Sequence, residues 1–196
     1  MTRTGIVIGS TRPGRKGDRV AEWVRRLATQ HAGGVADFEL VDLSDHGLPL
    51  LDEAVPAASA PGGQPHTRRW AERIGRYDAY IFVTPEYNTA PPASLTNAID
   101  YLHREWGGKP VAYVGYGVYG AVMAVQKLRA QAGVLRMADI GPQVALSLYE
   151  DFVDFAEFRP RELHTAEVHR LVDELLAWSR ALGALRTAAP PVRQNA

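Results

Sequence analysis

The sequence contains no cysteine, carries no net charge and has no long apolar run. The first absence excludes a disulfide framework, a thiolate metal site, an iron–sulfur cluster and a cysteine nucleophile, and it leads us to expect a cytoplasmic protein. The second, from 22 basic and 22 acidic residues, argues against a basic nucleic-acid binder and against a strongly acidic electron carrier. The third argues against a membrane span, which needs roughly 18 apolar residues in a row. The opening MTRTGIVIGS reads as a first strand, because its apolar part is too short for a signal peptide. Motifs of common chemistries are missing too. His31, His46, His66, His103, His164 and His169 show no metal-ligand spacing and read as surface residues. Without a G-x-S-x-G elbow, a serine hydrolase is not expected.

What is present is a globular composition. Of 196 residues, 46% are hydrophobic and 22% charged, enough for one domain with a proper core. We expect that domain over residues 1–186 and a disordered tail over 187–196. Apolar runs and helical periodicities alternate along the chain. Strands are expected at 5–8, 35–43, 79–84, 110–116 and 139–149, the last with a hairpin-like extension. Helices are expected around Val20, Val24, Leu27 and Ala28, and over 67–76, 93–106, 120–137 and 165–185. Trp23, Trp70, Trp106 and Trp178 read as packing residues within these helices. The run AYIFVT at 79–84 has no alternation, as fits a strand covered on both faces. Residues 44–66 form a long Pro-, Gly- and Ala-rich loop. This pattern predicts a doubly wound parallel α/β sheet, whose ligands bind beyond the carboxyl ends of the strands.

Three loops leave those ends. The first, GSTRPGRKGD over 9–18, has convergent glycines, two hydroxyls and four cations (Arg12, Arg15, Lys16 and Arg19) before a helix start. Residues 1–26 hold seven cations against two acids, so this region of a neutral chain suits one anionic ligand. A Walker loop fails, because Arg15 and Lys16 follow Gly14 where Lys and a hydroxyl are required. The second loop, over 84–92, is a proline-bounded turn showing Glu86, Tyr87 and Asn88. The third, Gly115-Tyr116-Gly117-Val118-Tyr119-Gly120, matches G-x-G-x-x-G. It sits in the fourth strand–helix turn and not the first, so a dinucleotide fingerprint is discounted.

The segments GSTRPGRKGDRVAEWV, TPEYNTAPPASLTNAIDYL and KPVAYVGYGVYGAVMAVQKLRAQ together resemble the NAD(P)H-dependent FMN reductase family over residues 4–137. The resemblance implies a flavodoxin-like fold with strand order 2-1-3-4-5. It implies FMN as cofactor, NAD(P)H as co-substrate and a small electron acceptor: a quinone, an azo compound, free flavin or an oxidised metal ion. Ser10, Arg12, Arg15, Lys16, Gly17, Asp18 and Arg19 would surround the phosphate. Pro85, Glu86, Tyr87, Asn88, Tyr116, Gly117 and Gly120 would lie against the isoalloxazine. Relatives often carry serine before Tyr-Gly-Gly in the third loop, where this chain has Gly115-Tyr116-Gly117-Val118. The flavin would carry the chemistry, so no catalytic side chain and no metal site are expected. Neither nucleic acid nor a membrane is an expected partner. Tyr101 and Trp106 extend one helix stripe and Trp178 adds to the last helix; since relatives usually pair such helices, the resemblance implies a homodimer or homotetramer. The rival readings are a flavodoxin-like carrier without nicotinamide activity and a phosphoryl-transfer protein.

Overall fold

A computed structural model describes residues 1–187. The strands are β1 (Thr2–Ile8), β2 (Ala36–Asp42), β3 (Ala79–Pro85), β4 (Pro110–Gly117) and β5 (Ala138–Ser147). They form one parallel sheet in the order β2-β1-β3-β4-β5. Helices α1 (Gly17–Ala32) and α5 (Leu163–Thr187) cover one face; α2 (Pro65–Gly75), α3 (Ala93–Asp100) and α4 (Val122–Val134) cover the other. This is the flavodoxin-like arrangement. β3 and β4 are buried along their whole length, which explains their unbroken apolar runs. Of the tail expected over 187–196, Thr187 ends α5 and the rest lies outside the described residues.

Four details depart from the sequence reading. First, α3 stops at Asp100 and does not reach Trp106. The indole N–H of Trp70 donates to the Ala98 carbonyl at 2.8 Å, and that of Trp106 to the Ile99 carbonyl at 3.1 Å. Side chains therefore satisfy carbonyls that another helical turn would have used. The same turn buries Tyr101 and Trp106 inside the chain, so they are not an exposed stripe. Trp178, expected to pack, is 44% exposed.

Second, β5 ends at Ser147, short of the expected 149, and the expected hairpin-like extension is an antiparallel ribbon apart from the main sheet, β6 (Phe152–Val153) and β7 (Glu157–Phe158). Third, His164 is not a surface residue; it is 2% exposed. Its two ring nitrogens lie 3.0 Å from Asp151 and 2.7 Å from Glu167, and these partners are what make its burial tolerable. Fourth, the stretch after β2, which composition marks only as a long loop, is pinned to α3 and the turn after it. The Asn97 side-chain amide donates to the Pro49 carbonyl at 2.7 Å and accepts from the Leu51 amide at 2.9 Å. The Tyr101 hydroxyl donates to Asp52 at 2.9 Å.

At the amino end of the sheet, Lys109 is only 8% exposed. Its ammonium donates to the Tyr80 hydroxyl at 2.9 Å and has no carboxylate within ion-pair distance among the described residues. Burial, reinforced by the nearby Arg186, pushes its pKa down from 10.5 to about 8.

Candidate functional site

The first loop is rooted at both faces. The Gly9 amide donates to the Val83 carbonyl at 2.9 Å, and the Ser94 hydroxyl donates to the Gly9 carbonyl at 2.7 Å. Beyond it, Arg12-Pro13-Gly14-Arg15 closes a β-turn, with the Arg15 amide on the Arg12 carbonyl at 3.1 Å. Proline second and a glycine third at φ +69° are the residues a type II turn demands. α1 begins immediately after, with Lys16 at its N-cap and no side-chain cap on its first amides. Those amides and the helix dipole face the turn.

The second loop is a tight hairpin. Tyr87 and Ala90 exchange both backbone hydrogen bonds, at 2.9 and 3.1 Å. The two residues between them, Asn88 and Thr89, have φ of 52° and 63°. Two left-handed residues in a two-residue loop make a type I′ turn. Asparagine tolerates this conformation; the β-branched threonine does not. Replacing Thr89 by Gly should therefore raise stability by about 1 kcal/mol. Thermal denaturation of the variant tests it, and an unchanged or lower melting temperature would count against the strain.

Tyr87 turns back toward the first loop, its hydroxyl 2.9 Å from that of Ser10. Glu86 is anchored separately: its carboxylate accepts the Ala124 amide at 3.0 Å and caps α4 from a distance. In the third loop Tyr116 is buried, while Tyr119 is 79% exposed. Burial pushes the Tyr116 phenol pKa upward. Its hydroxyl packs on Gly17, where a Cβ would come within 2.8 Å. Gly120, at φ +66°, is held against Ala145, with only 2.7 Å for a Cβ.

The three loops meet in a cleft of about 190 Å³. Arg12, Arg15, Lys16, Pro85, Glu86, Tyr87, Tyr116 and Gly117 all line it, so most of the expected positions come together. Pro13, Gly14 and Leu148 complete the wall and were not expected. Leu148 directly follows β5 and shows in the sequence only as a lone apolar side chain. Ser10 stands one hydrogen bond behind the wall, and Gly17 lies beneath it against Tyr116. Asp18, Arg19 and Asn88 are exposed outside the lining, and Gly120 is buried away from it. The Arg15 guanidinium is engaged by Asp42 and Ser44. Arg12 and Lys16 have no ion pair among the described residues. Larger hollows of about 270 and 410 Å³ flank Tyr101 under residues 51–62, but no strand end opens into them.

One end of the cleft thus offers uncapped amides and two unpaired cations, and the other offers aromatic and apolar surface. That donor set fits a phosphate-terminated flavin. Residues 2–151 match the family described as NADPH-dependent FMN reductase. The chain belongs to that family. It is 33% identical over 187 residues to an NAD(P)H-dependent FMN reductase of Schizosaccharomyces pombe, covering 93% of this chain and 84% of the relative. It is 33% identical over 158 residues to a quinone reductase of Pseudomonas putida, covering 74% and 80%. Among solved structures it is similar to the flavoenzyme NAD(P)H:(acceptor) oxidoreductase FerB of Paracoccus denitrificans. That match has a TM-score of 0.70 and 25% identity, and covers 92% of this chain and 98% of the other. As a member of the family the chain is an oxidoreductase that works with FMN and NAD(P)H, and a carrier without nicotinamide activity is not favoured. No helix among the described residues is long and apolar enough to cross a membrane.

Proposed function

We propose that FMN occupies the cleft with its phosphate toward Arg12, Lys16 and the first amides of α1, and its ring toward Tyr87, Tyr116 and Leu148. The observation that carries this is the polarity of the cleft: unpaired cations at one end, apolar wall at the other. When bound, the flavin accepts hydride from NAD(P)H and passes two electrons to a small acceptor. The protein's own part is binding and orientation. The Ser10–Tyr87 hydroxyl pair ties the phosphate end to the ring end. The type I′ turn fixes Tyr87, and Glu86 fixes the start of α4 beside the third loop.

The quinone reductase relative favours a quinone as acceptor. Free flavin, azo compounds and oxidised metal ions are the other acceptors to assay. Purified protein should bind FMN, show its visible absorbance and bleach anaerobically with NADPH or NADH. One cleft serving both half-reactions predicts ping-pong kinetics, with parallel double-reciprocal lines. Intersecting lines would mean two sites. Assembly into a homo-oligomer rests on the exposed Trp178 of α5. Sedimentation as a 21.5 kDa monomer at micromolar concentration would refute it.

A further inference from the structure

Arg15 belongs to the anion-binding turn, yet one face of its guanidinium is committed to protein, while its buried Nε has no hydrogen-bond partner among the described residues. One of its terminal nitrogens donates to the Asp42 carboxylate and to the Ser44 hydroxyl, the latter at 3.3 Å. The second oxygen of Asp42 accepts the Ser44 amide at 3.0 Å and the Ser44 hydroxyl at 2.8 Å. Asp42 is the last residue of β2, paired in register with Ile8 at the end of β1. The clasp therefore joins the turn after β1 to the end of the neighbouring strand. Both side chains are largely covered, 18% and 20% exposed. Arg12 and Lys16 stand on either side of Arg15, with no such partner.

Four cations within residues 12–19 repel one another. Neutralising the middle one relieves that repulsion and gives the Pro13–Gly14 turn a fixed point. A turn ordered beforehand loses less entropy when a ligand arrives. We infer that Asp42, assisted by Ser44, is a positioning residue for the FMN phosphate turn, acting through Arg15, which contacts Asp42 and not the phosphate. The inference rests on the reading of the cleft as the FMN site. It has a definite rival. If Arg15 were itself a phosphate ligand, removing Asp42 would free a cation for the phosphate and tighten FMN binding. The two accounts differ in sign.

The test is titration of FMN into the flavin-stripped full-length protein, followed by flavin fluorescence at low and high salt. Asp42→Ala and Arg15→Ala should each weaken FMN binding about tenfold, and the double variant should be little worse than either, since one interaction is shared. Asp42→Glu should recover much of the loss. Arg15→Ala should keep the salt dependence of the wild type, because no phosphate contact is removed. Ser44→Ala, a milder change, should shift affinity in the same direction by less. Tighter FMN binding in Asp42→Ala, or a flattened salt dependence in Arg15→Ala, would overturn the inference. So would lower melting temperatures with FMN affinity unchanged, which would make the clasp structural only. Failure of the wild type to bind FMN would instead overturn the reading of the cleft.

Discussion

Replacing Arg12 by Ala should weaken FMN binding by about 1.5–3 kcal/mol, a factor on the order of ten to a hundred, and leave riboflavin binding unchanged. Arg12 lines the cleft, has no ion pair among the described residues and starts the type II turn. Its guanidinium is free to form a charge-assisted hydrogen bond with a phosphate dianion. Riboflavin has no phosphate and gains nothing from that contact. Parallel titrations with the two flavins isolate the phosphate term. Equal losses for both would mean that Arg12 shapes the cleft and does not read the anion.

The second large effect concerns stability and lies at the opposite end of the sheet. Lys109 holds its ammonium in a buried place, with a pKa of about 8 in the folded chain against 10.5 when exposed. The sign follows from proton uptake. Below pH 8 both states are protonated and the folded state carries the full penalty, about 3 kcal/mol. Between pH 8 and 10.5 the unfolded chain holds a proton that the folded one has released, so stability rises with pH. The buried phenols of Tyr77, Tyr80, Tyr113 and Tyr116 are shifted upward by burial and oppose this at higher pH. Tyr101, pushed up to about 12 by burial and by Asp52, does the same. Denaturant unfolding between pH 7.5 and 9.5 therefore isolates the lysine. Lys109→Met should be more stable than wild type at pH 7 and should lose the rise. Tyr80 keeps its own donation to the Ile74 carbonyl at 2.9 Å, so the change leaves no orphaned donor there. A variant less stable at pH 7, with the slope intact, would refute the penalty.

The sheet was legible because its strands announce themselves. AYIFVT and the run from Pro110 are apolar without alternation, as only strands covered on both faces are. The RPGR turn was legible for a similar reason, since proline and glycine at the middle of four residues fix its type. What escaped the sequence was set by partners far along the chain. Arg15 lines the cleft as its place in the loop suggests, but its tie to Asp42, 27 residues on, has no local signal. Glu86 lines the cleft, but its bond to the Ala124 amide, 38 residues away, could not be read locally. The helix from Ala93 has apolar spacing that continues to Trp106. It ends early because two indoles claim its last carbonyls, a competition that periodicity cannot register. His164 was misplaced because burial of a histidine depends on its acids, and one of them, Asp151, belongs to a different segment.

Glu53 accepts the amides of both Gly63 and Gln64, at 2.9 Å each. The chain thus leaves and returns at nearly one point, and residues 54–61 form a ring already closed, lying over the hollows beside Tyr101. Lengthening such a ring costs only about 0.6 kcal/mol for each doubling. This stretch is accordingly the natural port for grafting foreign peptide onto the molecule. An epitope spliced between Ala57 and Ser59 would ride on the surface while the sheet and its three loops keep their places.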